Sequence, residues 1–84
     1  MNRGHLKILE LIFKKPIPTS LEWYKIEAVF QALGAQTIEG RGSRVRFELN
    51  DVIANFHRPH PEKEAKAYQV RDAKEFLEKA GVKP

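Results

Sequence analysis

The chain has 84 residues, a formal net charge of +4, 42% hydrophobic residues and no cysteine. A domain of this length buries only about 60% of the surface its unfolded chain exposes, so its core is thin and function is expected on a surface or in a shallow groove. The missing cysteine excludes a disulfide framework, a thiolate zinc site and a cysteine nucleophile, while the basic surplus suits a polyanion or an acidic protein partner.

Leu6, Leu9, Ile12 and Phe13 recur at helical spacing and predict a first helix from about Gly4 to Lys14, ended by Pro16. Thr19-Ser20-Leu21-Glu22 fits a capping box, with Thr19 as the N-cap of a second helix. Ile26, Val29, Phe30 and Leu33 continue that helix, and Gly34 closes it in a left-handed conformation. Three strands follow, at about Gln36 to Glu39, Arg44 to Leu49 and Val52 to His57.

Asn50 and Asp51 suit a two-residue hairpin loop. That loop fixes a register in which Leu49 faces Val52, Phe47 faces Ala54 and Val45 faces Phe56, so that all six share one apolar side. The other side then pairs Glu48 with Ile53, Arg46 with Asn55 and Arg44 with His57. His57-Arg58-Pro59-His60-Pro61 makes a stiff basic connector. A final helix runs from about Ala65 to Ala80, with Val70, Ala73, Phe76, Leu77 and Ala80 as its buried stripe and Gly81 as its stop. The expected architecture is α+β, in the order α-α-β-β-β-α: a three-stranded antiparallel sheet with helices on its apolar face and its polar face open. One domain is expected over residues 1–84, with residues 4–14 as an additional N-terminal helix and 19–82 as the core.

Arg41, Arg44 and Arg46 cluster beside Gly40 and Gly42. Guanidinium forks match phosphate oxygens, and glycine lets backbone approach them closely. The same residues also describe an ordinary hairpin with a solvated charged face. RNA is cut without a metal when one group takes the 2′-hydroxyl proton and another protonates the leaving 5′-oxygen, work for which histidine is suited. His57 beside Arg44 and Arg46 brings a proton carrier to phosphate ligands, and His60 lies three residues on; a plain strand-end residue is the competing reading of His57. His5 reads as surface, and Glu62 and Glu64 as a charged loop. Trp23 and Tyr24 are expected to serve as core or partner contacts rather than as base-stacking platforms. With three histidines and few paired acids, no metal or other cofactor is expected. No apolar run is long enough to span a bilayer, and no signal-peptide core follows Met1, so a cytoplasmic protein is expected.

Four stretches together carry a family resemblance: Phe30-Gln31-Ala32-Leu33-Gly34-Ala35, Gly42-Ser43-Arg44-Val45-Arg46-Phe47, His60-Pro61-Glu62-Lys63-Glu64, and Val70-Arg71 through Phe76-Leu77-Glu78-Lys79-Ala80-Gly81. Their order and spacing, over Ser20 to Val82, resemble the HicA family of toxins from bacterial type II toxin–antitoxin systems. The resemblance implies a double-stranded-RNA-binding-domain-like fold, endoribonuclease activity on mRNA, and masking by a HicB antitoxin. It departs at one position. The family motif reads Gly-Ser-His, with that histidine taken as catalytic, and here the residue is Arg44. Arginine stays protonated and serves as neither general acid nor base at neutral pH.

The expectation is therefore that His57 replaces that histidine, with His60, which matches the family's His-Pro, as the second candidate. Arg41, Gly42, Ser43, Arg44, Arg46 and Arg58 are expected to hold RNA. The alternatives are a non-catalytic RNA-binding module and a protein-interaction domain that docks an acidic partner on its basic face.

Overall fold

A computed structural model describes all 84 residues. Its elements are α1 (Arg3–Ile12), α2 (Trp23–Ala32), β1 (Gln36–Glu39), β2 (Arg44–Leu49), β3 (Val52–His57) and α3 (Ala67–Lys79), an α+β fold in the expected order. None of the helices is long and apolar enough to cross a membrane.

The Asn2 side chain caps α1, accepting a hydrogen bond from the His5 amide at 2.8 Å. The expected capping box at Thr19 does not form. The Leu21–Trp23 segment is extended and pairs with Lys63–Ala65: Trp23 N–H donates to the Lys63 carbonyl at 2.9 Å, and Ala65 N–H to the Leu21 carbonyl at 2.8 Å. This pairing delays the helix to Trp23, with Glu22 as an N-cap that makes no side-chain cap bond. It also delays α3, which begins at Ala67 rather than Ala65, with the Lys66 amide capped by the Gln69 side chain at 2.9 Å. At the other end of α2, Gly34 takes φ +96 as expected, and the Ala35 amide closes onto the Phe30 carbonyl at 2.9 Å.

The sheet has the order β1-β2-β3, antiparallel throughout. The β2–β3 register matches the expected one at every pair, from Leu49↔Val52 to Arg44↔His57. Asn50 and Asp51 take φ 49 and 66, so the loop has both central residues left-handed. The Asn50 side chain also donates to the Ala80 carbonyl at 2.8 Å, tying the hairpin tip to the end of α3. Asp51 has no such role, and glycine takes its left-handed φ without a Cβ penalty, so Asp51→Gly is expected to raise the urea midpoint.

Alternation sends Val45, Phe47, Leu49 and Phe56 to the helix side, where all are buried. Phe30 of α2 sits at their centre, with ring centroids 4.9 Å from Phe47, 5.1 Å from Phe76 and 5.9 Å from Phe56. Trp23 is buried against Phe56 at 5.1 Å, whereas Tyr24 is exposed. His5, expected on the surface, is half-covered, and its Nδ1 is buried without a partner. No helix covers the other face of the sheet, where Arg44, Arg46, Ile53, Asn55 and His57 are exposed.

Candidate functional site

The open face ends in a tight turn from Gly40 to Ser43. Gly40 N–H donates to the Arg44 carbonyl at 2.9 Å, and Arg44 N–H to the Arg41 carbonyl at 3.1 Å. The turn needs its glycines. Gly42 takes φ +60, and a Cβ on Gly40 would lie 3.0 Å from the Arg44 Cβ. This geometry holds Arg41 and Arg44 at one end of the sheet.

Across the hairpin, His57 stands opposite Arg44, and its Nδ1 lies 3.5 Å from the Ser43 hydroxyl. A groove of about 470 Å³ runs over this end, lined by Ile38, Arg41, Arg44, Arg46, Asn55 and His57 among others. Arg46 approaches Glu48 at 3.6 Å, but neither Arg41 nor Arg44 enters any ion pair. Two guanidinium groups thus face solvent beside a histidine. A separate groove of about 590 Å³ between α1 and α2 is lined by His5, Ile8, Leu11 and Tyr24 and shares no residue with the first. No group of His, Asp and Glu side chains is placed to hold a metal ion.

Of the residues singled out in the sequence, the fold brings together Arg41, Ser43, Arg44, Arg46 and His57. His60 is exposed beyond Pro59 and does not line the groove. Arg58 points elsewhere. The alternation that puts His57 on the open face sends Arg58 towards α2, where Nε donates to Glu27 Oε2 at 2.6 Å and Nη2 to Glu27 Oε1 at 3.1 Å. Its outer edge serves Glu39: Nη1 donates to Oε1 at 2.6 Å and Nη2 to Oε2 at 2.9 Å. The Trp23 indole N–H also donates to Glu27 Oε2.

Hydrogen bonding from Arg58, with its charge, holds the Glu39 carboxyl below its ordinary value near 4.5. The same two carboxylates raise Arg58 further above its ordinary value. A depressed carboxylate contributes fully above its unfolded pKa, so this pairing is complete at neutral pH and is lost only as acid protonates Glu39. Sequence reading missed Glu27, Glu39 and Gln69. Asn55 was legible as the cross-strand partner of Arg46.

A family model described as HicA toxin of bacterial toxin–antitoxin matches residues 23–82. The chain belongs to the HicA toxin family. Comparisons with curated proteins and with solved structures return no match. As a HicA protein it is the toxin of a toxin–antitoxin system, and an antitoxin is its implied partner. The matched HicA region begins at the first residue of α2, so α1 lies outside it. Within this HicA chain the groove at Arg41, Arg44 and His57 occupies the end of the sheet that carries Gly42-Ser43-Arg44.

Proposed function

We propose that this HicA protein is a metal-independent endoribonuclease acting on mRNA and neutralised by a HicB-type antitoxin. The observation that carries the reading is the placement of His57 directly across the hairpin from Arg44, with Ser43 beside it and Arg41 and Arg46 flanking. Single-stranded RNA lies along the open face, with a phosphate between the unpaired Arg41 and Arg44 guanidiniums. His57 takes the proton of the neighbouring 2′-hydroxyl. The 2′-oxygen attacks phosphorus, the bond to the 5′-oxygen breaks, and water supplies the proton to that leaving oxygen. The products are a 2′,3′-cyclic phosphate and a 5′-hydroxyl. Arg44 stabilises the charge that grows on the phosphoryl oxygens.

A second reading is favoured by Arg44 itself, which stands where the family motif has histidine: an RNA-binding module that holds the strand without cutting it. Incubation of the purified protein with mRNA at neutral pH and with a chelator present separates the two. Cleavage to cyclic-phosphate ends supports the nuclease; retention of intact RNA supports the binding module. Absence of binding even at low salt removes both. Arg41→Ala and Arg44→Ala are each expected to flatten the dependence of log K on log salt by about 0.7, the loss of one single-strand phosphate contact.

A further inference from the structure

His57 is the last residue of β3, where the ladder ends and a strand tends to fray. Its backbone is nevertheless held from two sides. The His57 carbonyl accepts from the buried Gln69 side chain of α3 at 2.6 Å. The next amide, of Arg58, donates to the Ser43 carbonyl at 2.8 Å, which ties the strand end to the glycine turn.

The Arg58 side chain adds a third restraint. Its planar fork makes four hydrogen bonds to two carboxylates, one on α2 and one at the end of β1. Glu27 is itself fixed by the Trp23 indole and is nearly covered. Glu39 immediately precedes Gly40, the first residue of the turn that carries Arg41 and Ser43. One guanidinium thereby joins the helix layer, the start of the turn and the residue after His57. A lysine in its place offers a point charge without the fork and cannot hold both carboxylates in fixed geometry.

We infer that Arg58, through Glu27 and Glu39, is a positioning residue that locks His57 against the Ser43–Arg44 end of the turn. The inference rests on the proposed nuclease reading for its catalytic consequence, but the placement of His57 is measurable without it. Misplacing a reacting group by about 1 Å lowers a rate by about 100-fold without requiring any loss of substrate affinity.

The test uses Glu39→Ala and Arg58→Lys in the full-length protein. The Glu39 side chain is 62% exposed, so its removal leaves the core intact. Both variants are checked for a cooperative thermal transition, and Glu39→Ala decides the matter if Arg58→Lys fails to fold. Two readouts follow: the nuclear Overhauser contact between the His57 ring and the Ser43 side chain, and kcat separately from KM for RNA cleavage. The expected result is loss of the contact in each folded variant, with kcat down about 10–100-fold and KM unchanged. Retention of the contact in folded Glu39→Ala overturns the inference, as does unchanged kcat. If the wild-type protein binds RNA but does not cut it, the nuclease reading fails, and the Overhauser contact alone decides the role of Arg58.

Discussion

Replacing His57 by alanine is expected to lower the RNA cleavage rate by about 10²–10⁴-fold, the usual contribution of a positioned general base, while RNA binding persists. The asymmetry follows from the proposed division of labour on the open face. Arg41 and Arg44 have no carboxylate partners and remain free to hold phosphate, whereas no other acid–base side chain lines the groove except Glu39, which Arg58 occupies. Arg44 stays a cation and cannot substitute. His60→Ala is the matched control: the ring is exposed outside the groove, and the rate should be unchanged. Initial rates on one mRNA, with binding followed in parallel, check both variants. Cleavage that survives His57→Ala and disappears in His60→Ala would sink the assignment.

The largest effect on stability is expected from Phe30→Ala. Phe30 is fully buried and packs against three other phenylalanines, from β2, β3 and α3. Truncating such a ring removes its transfer free energy and leaves a cavity, together about 3–5 kcal/mol. A chain of this length has a total stability of only about 4–13 kcal/mol, from about 0.05–0.15 kcal/mol per residue. The loss is therefore a large share of the total, and the urea midpoint should fall steeply. Tyr68→Ala, at a half-exposed ring on α3, should change stability by less than about 0.5 kcal/mol. Urea titrations followed by circular dichroism compare the two; equal midpoints would refute the central role of Phe30.

Local patterns proved most legible where the physics is local. Asn50-Asp51 fixes a loop length, the loop fixes a register, and the register places Arg44 beside His57 without any tertiary information. Gly34 and Gly81 stop their helices because only a left-handed residue closes those ends. The Thr19 capping box misled because its signature is equally compatible with an extended segment. Pairing with Lys63–Ala65, far along the chain, settles the choice. Arg58 misled for a related reason: an arginine beside a histidine looks like a phosphate ligand. Its carboxylates come from Glu27 and Glu39, which only the fold brings near. The open face was thus readable from the sequence, whereas the restraints beneath it were not.

The buried indole of Trp23 has a use beyond packing. It is the chain's single tryptophan, tilted against Phe56 and hydrogen-bonded to the same carboxylate that anchors Arg58. The protein therefore carries an intrinsic fluorophore on the helix side of the sheet, away from the arginine-lined groove. Its emission reports the state of the Glu27–Arg58 anchor from the inside, at a ring that does not line the groove.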